Sequence, residues 1–158
     1  MTRAALNIVA PQVRGWCPGA LRPMLSGDGL IVRLRPRGHA LSAGDLIAIA
    51  GLAETYGNAL IDLTRRANIQ LRGVAESNLP AVWGELEGIG LLGGQPEAEA
   101  VRNVLISPLA GADPSEIVDT RALANELDVA LTENSALWML PAKFAFVVDG
   151  SGAMPLDG

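Results

Sequence analysis

The sequence predicts a mixed α+β chain, and three stretches carry that expectation. From Asn58 to Gly73 the residues alternate at period two. Ala59, Ile61, Leu63, Arg65, Ala67, Ile69, Leu71 and Gly73 fall on one side; Asp62, Thr64, Arg66, Asn68, Gln70 and Arg72 fall on the other. That is strand periodicity, with one face apolar except for Arg65. A bulge near Ala67 is compatible with the pattern and would change the face of the last polar residues. From Leu30 to Arg35 a second run puts Leu30, Val32 and Leu34 on one side and Ile31, Arg33 and Arg35 on the other. Between the two, Leu46, Ile49, Ala50 and Ala53 recur at helical spacing. Strand, helix, strand over this length reads as a crossover unit.

The remaining elements follow in order. Residues 1–15 are expected to form a flexible arm. Gly15 to Gly29 is dense in Pro and Gly, and Gly27-Asp28-Gly29 reads as a tight turn into the first strand. Ser42 is placed to cap the first helix, with Asp45 in the reciprocal position and Gly57 at its end. A second helix is expected from about Asn78, with Val82, Trp83, Leu86 and Ile89 as its stripe, and then a Gly-rich loop to about Glu99. Val101 to Ile106 reads as a strand. Asp113-Pro114-Ser115-Glu116 has the cap, proline and acidic residue of a helix start, which predicts a third helix over 114–132. Lys143 to Asp149 reads as a final strand.

Composition sets limits on function. The chain has 158 residues, 49% of them hydrophobic, so it can bury a real core. Its net charge of −5 speaks against general nucleic-acid binding, which needs a broad cationic surface. No apolar run reaches the roughly 18 residues of a membrane helix, and cytoplasm is the expected compartment. The single Cys excludes an internal disulfide and cannot by itself hold an iron–sulfur cluster or a structural zinc.

No hydrolytic constellation emerges. His39 sits beside Gly38 and reads as a solvated turn residue, and Cys17, between Trp16 and Pro18, as a small packed side chain. The notable pattern is a set of cations at strand positions: Arg33, Arg35, Arg66, Arg72, Arg102 and Lys143. Arg suits bidentate recognition of carboxylate or phosphate. Two explanations stay open at this point. Either the shared face awaits a flat, multiply anionic ligand, or the arginines pair with internal carboxylates such as Asp62 and Glu76.

Three segments carry a resemblance. Leu63-Thr64-Arg65-Arg66-Ala67-Asn68-Ile69-Gln70-Leu71-Arg72-Gly73, Arg102-Asn103-Val104 and Leu140-Pro141-Ala142-Lys143-Phe144 together resemble the sirohaem-type sulfite and nitrite reductases, in the same order and spacing. Trp16-Cys17-Pro18-Gly19, Arg22-Pro23-Met24 and Gly27 to Arg33 resemble the precorrin-3B synthases, the cobalamin-biosynthesis branch of that superfamily. The resemblance implies a ferredoxin-like half-module, residues 16–76, followed over 77–158 by the start of an α/β haem-reductase domain. It implies an oxidoreductase of the precorrin-3B synthase type, an oxygen-dependent monooxygenase acting on a polycarboxylate tetrapyrrole. The binding candidates are Arg33, Arg35, Arg66, Asn68, Gln70, Arg72, Arg102 and Lys143. Catalytic residues are not assigned, and no metal ligand is expected within the chain.

The departures shape the expectation further. The reductases carry a second basic residue two positions after the lysine; here it is Ala145, which speaks against reduction of a small anion. The cluster cysteines of the family are absent. An iron–sulfur cluster and iron are therefore expected in full-length relatives but not ligated by this chain, which alone is expected to be inactive. A fragment of a sirohaem sulfite or nitrite reductase and a non-catalytic tetrapyrrole-binding module are the alternatives. The expected macromolecular partner is a C-terminal half or a second copy in a homodimer.

Overall fold

A computed structural model describes residues 17–156. The expected flexible arm at 1–15 lies outside the described residues. Six strands and four helices follow: β1 (Met24–Ser26), β2 (Gly29–Leu34), α1 (Ala43–Tyr56), β3 (Ile61–Leu63), β4 (Ile69–Val74), α2 (Leu79–Gly88), α3 (Pro96–Val101), β5 (Val104–Ile106), α4 (Thr120–Glu133) and β6 (Phe146–Val148).

The first unit is a four-stranded sheet in the order β1-β2-β4-β3. Both β2 and β3 run antiparallel to β4, so they are parallel to each other with β4 between them. The expected crossover is thus real but split, which is the ferredoxin-like arrangement. α1 starts where Ser42 predicts: its hydroxyl accepts from Asp45 N, and the Asp45 carboxylate accepts from Ser42 N. Val32, Leu34, Ile69, Leu71 and Val74 pack against Ile49, Leu52 and Ala53 of α1 and Leu79, Val82 and Leu86 of α2. This core extends through α2, beyond the division at residue 76 drawn from sequence. Gly73, at φ +69, lies where the β2–β4 register shifts, and a Cβ on Gly29 would come within 2.8 Å of its carbonyl carbon. Two glycines there let the strands close around a bulge.

The continuous strand expected over 58–73 is instead a hairpin. Thr64 breaks it. Its Oγ1 accepts from Arg66 N at 3.3 Å and Asn68 N at 3.1 Å, while Thr64 N donates to Asn68 O at 2.9 Å. A side chain that captures nearby backbone amides competes with the ladder, and Ala67 completes the turn at φ 52. The polar residues consequently part company. Asp62 and Gln70 face each other across the hairpin, and Gln70 faces Arg33 on β2. Together with Arg72 they share the sheet face opposite the helices, whereas Thr64, Arg66 and Asn68 belong to the turn.

The second unit joins β5 and β6 in parallel through α4, the beginning of an α/β architecture. Val101, Val104, Ala124 and Leu131 form its core, flanked by Leu127, Trp138, Leu140 and Phe146. The final strand, expected over Lys143 to Asp149, shortens to Phe146–Val148, and three further expectations change here. Pro96 opens a short helix, α3, where a loop was expected. The strand expected from 101 begins at Val104. α4 starts at Thr120 rather than at 114, capped by Asp119, whose carboxylate accepts from Ala122 N at 3.0 Å. Asp113, the expected cap, instead accepts from Ser115 N and from Ala153 N, stitching a loop to the chain after β6.

Candidate functional site

The two units meet at the end of β2. Arg35, the first residue past that strand, is only 5% exposed. Its Nη1 lies 3.3 Å from Glu99 Oε1 of α3, and its Nε donates to Asn103 Oδ1 at 3.4 Å. Glu99 also accepts from the Ala20 and Leu21 amides, at 2.8 and 3.2 Å. One carboxylate therefore ties the arm before β1, the end of β2 and α3 together. Asn103 completes the joint: its Nδ2 faces Ala100 O, Ala142 O and Phe144 O. Burial pulls the Arg35 guanidinium down from its ordinary value, and the Glu99 carboxylate opposes that shift.

Arg102, also buried, is held from the other side. Its Nε and Nη2 donate to the two Asp128 oxygens of α4 at 2.7 and 2.6 Å, a bidentate pair. Arg72 on β4 meets both Asp28 oxygens and Asp62. Of the two explanations left open by the sequence, internal pairing thus accounts for Arg35, Arg72 and Arg102. Asp62 was a named partner; Glu76 was also named but is not one of the carboxylates that hold them.

The other candidates differ. Arg33, half-buried on β2, has no carboxylate against it among the described residues. With the Gln70 amide oxygen turned toward it, Gln70 accepts from Arg33 Nη2 at 2.7 Å and Nε at 3.0 Å. Burial lowers the Arg33 pKa. Arg66 stands on the hairpin turn, and its Nη2 donates to the Lys143 carbonyl at 3.4 Å. This contact brings the Lys143 segment of the second unit to the turn of the first. Lys143 itself is exposed. Asn68 is buried, and its Nδ2 has no hydrogen-bond partner among the described residues.

Beside the turn is a cavity of about 510 Å³, bounded by Arg35, His39, Thr64, Arg65, Asn68, Arg102, Ser107, Arg121 and Asp128, among others. Six of these, Thr64 of the hairpin turn among them, were not anticipated as site residues. Asp128 is one acid among several on an amphipathic helix, with no local signal. Ser107 lies just past β5, where the sequence carries no signal of a site. Arg65 looked like the exception on an apolar face; the hairpin makes it an exposed turn residue at the edge of the cavity. Arg121 lies on a helix, as expected, yet it borders the cavity and donates to Ala110 O at 2.7 Å. His39 is half-buried rather than freely solvated, with Nε2 3.3 Å from Ala124 O.

The donor set does not fit an iron–sulfur cluster. Such clusters take four thiolates, the chain has one Cys, and no group of three or more His, Cys, Asp or Glu side chains suited to a metal occurs among the described residues. Unpartnered guanidinium and amide donors do fit an organic anion.

Fold and site together define an α+β module: a ferredoxin-like half joined at a cationic seam to the start of an α/β domain. Comparison with known proteins agrees. Residues 22–89 match the nitrite/sulfite reductase ferredoxin-like half domain, and residues 97–157 match the nitrite and sulphite reductase 4Fe-4S domain. The chain belongs to the nitrite and sulfite reductase family. It is 38% identical to a precorrin-3B synthase of Sinorhizobium sp over 99% of its length, and 37% identical to a ferredoxin–nitrite reductase of Synechococcus elongatus over 82%. It spans 34% and 26% of those proteins, respectively. The NirA protein of Mycobacterium tuberculosis shares the fold, with a TM-score of 0.61 over 75% of this chain and 22% of that one, at 24% identity. No helix among the described residues is long and apolar enough to cross a membrane.

Proposed function

We propose that this chain is the N-terminal part of a precorrin-3B-synthase-type oxidoreductase of cobalamin biosynthesis, and that it holds a polycarboxylate tetrapyrrole at the seam. The observation that carries the reading is the distribution of charge compensation. A small oxyanion needs uncompensated cations crowded around one point. Here the interior guanidiniums Arg35 and Arg102 are already neutralised by Glu99 and Asp128, and Ala145 stands where the reductases add a further base. Among the described residues, Arg33, Arg65, Arg66 and Lys143 are cations without a carboxylate, spread along the sheet face, the turn and the segment before β6. Spread cations suit a broad ligand whose carboxylates are also spread.

The similarity to precorrin-3B synthase over nearly the whole chain supports the same choice. Monooxygenation, the iron–sulfur cluster and the electron supply belong, in this proposal, to the longer enzyme. The open edge strand β3, with its Leu63 and the preceding Leu60 well exposed, supports a partner sheet there, from the remainder of such an enzyme or from a second copy.

Titration with uroporphyrin, a porphyrin with carboxylates around its whole periphery, tests the reading. Arg66→Ala is expected to weaken binding by 1.5–3 kcal/mol, about the contribution of one charge-assisted hydrogen bond, and binding is expected to fall with salt. Glu54→Gln on the exposed face of α1 should change nothing. Equal affinity of the wild-type and Arg66→Ala proteins would remove the turn from the site.

A further inference from the structure

We propose that the groove between the outer faces of α1 and α2 is the docking site of the chain's own first residues, with Leu6 and Ile8 seated in it and Arg3 and Arg14 meeting the glutamates along its edges.

α1 has no polar face. Only Asp45 and Glu54 of its fourteen residues are charged, and Asp45 is engaged in the Ser42 cap. A helix that is apolar all round is normally a buried one. α4, of the same length, shows the contrast: its Arg121, Asn125, Glu126 and Glu133 are all exposed. Yet Ile47 on α1 is 74% exposed, and Gly51, one turn further on, is exposed too. Beside them lies a groove of about 250 Å³, lined by Ala48, Gly51, Leu52, Thr55, Glu85 and Ile89. An apolar surface of this kind, walled by two helices, calls for a cover.

Charge selects the cover. Glu85 lines the groove, Glu54 stands exposed near Gly51, and Glu87 is exposed on α2. None of the three is in an ion pair among the described residues, and neither helix carries a Lys or Arg. A second copy docked by the same face would set these glutamates against each other. Residues 1–16 have the opposite character: Arg3 and Arg14 flank Ala4-Ala5-Leu6-Asn7-Ile8-Val9-Ala10, with no Asp or Glu. Extended, that run puts Leu6 and Ile8 on one side and Asn7 on the other, and Pro11 favours extended backbone at Ala10.

The reach is sufficient. The described chain starts three residues before Ala20, whose carbonyl accepts from Trp83 Nε1 of α2 at 2.9 Å. Glu87 shares that side of α2, one turn after Trp83, within reach of Arg14. The back of α2 is smooth, because a Cβ on Gly84 or Gly88 would meet nothing within 4 Å. Residues 11–16 extend about 20 Å, enough to cross a helix about 10–12 Å in diameter and bring Leu6 and Ile8 to the groove.

The test uses the 158-residue chain, with methyl NOE spectroscopy and tryptic cleavage of the Arg14–Gly15 bond followed by mass spectrometry. NOEs are expected from the Leu6 and Ile8 methyls to Ala48 and Ile89. Ile8→Asp, a change outside the folded core, should speed the cleavage about tenfold, the worth of one buried aliphatic side chain. Glu85→Lys should also speed it, and adding Arg3→Glu to that variant should slow it again. Cleavage equally fast in wild type and Ile8→Asp would overturn the docking. NOEs seen only between labelled and unlabelled chains in a mixed sample would give the groove to a second copy and overturn it as well. Absence of any contact between residues 1–16 and the groove would leave that face to the remainder of a longer protein, and the proposal would fall.

Discussion

At the joint between the units, Arg35 and Arg102 are each gripped by a helix carboxylate, with side chains 3% and 7% exposed. A short distance away, on the hairpin turn, Arg65 and Arg66 meet no carboxylate among the described residues. The side chains are identical and the sequence motifs adjacent, yet the energetics are opposite. A buried guanidinium must be paired, because the cost of leaving it bare exceeds what most folds can absorb. An exposed one gains little from a partner and keeps its donors available. The joint uses arginine to fix geometry; the turn holds arginine in reserve for something outside the chain.

Removing a partner at the joint should therefore show the largest effect. Glu99→Leu strands Arg35 and also frees the Ala20 and Leu21 amides, and a loss of 3–5 kcal/mol is expected in chemical denaturation. Adding Arg35→Met to that variant should recover a large part of it. A Glu99→Leu protein as stable as wild type would show that the joint does not depend on this carboxylate.

The next contrast sets Arg102→Ala against Arg66→Ala. Removal of Arg102 leaves the partly buried Asp128 bare, at a cost of up to about 3 kcal/mol, whereas Arg66→Ala should stay within about 0.5 kcal/mol. Thermal melts of the two variants side by side decide it. If both lose stability equally, the turn arginine is structural after all.

The smallest effect is one of pH. The hydrogen bond from Arg72, followed by lesser contributions, holds the Asp28 carboxyl below its ordinary range. A group whose folded pKa is depressed contributes stability above its unfolded value and loses it as pH falls through the folded one. Stability should thus decline modestly on acidification below about pH 4, and Asp28→Asn should flatten that slope. Asp28 is a surface group, so the decline is expected to be slight and to shrink with salt.

Much of the first unit was legible because its signals are local. Ser42 and Asp45 mark the start of α1, and the alternation around Leu30–Leu34 marks β2. What failed was the reading of 58–73 as one strand. Period-two alternation runs straight through the turn, and only the position of the Thr64 hydroxyl relative to two amides reveals the break. The same limit applied to α4. Asp113-Pro114-Ser115-Glu116 has the chemistry of a helix start, but Asp113 is engaged by Ala153, forty residues away, and a sequence window does not see that competitor. The arginines were found by pattern, but their sorting into paired and unpaired was not, because Glu99 and Asp128 reach them from distant helices.

The hairpin also has a kinetic side. β3 and β4 are neighbours in sequence and can pair on the timescale of an isolated hairpin, about 1–10 μs. β2 lies on the far side of α1, so its pairing with β4 must close a much longer loop. The order that chain entropy favours is hairpin first, then docking of its β4 edge onto β2. The turn that displays Arg65 and Arg66 is in this sense also the first piece of the sheet to know its shape, and the edge that receives β2 exists before β2 arrives.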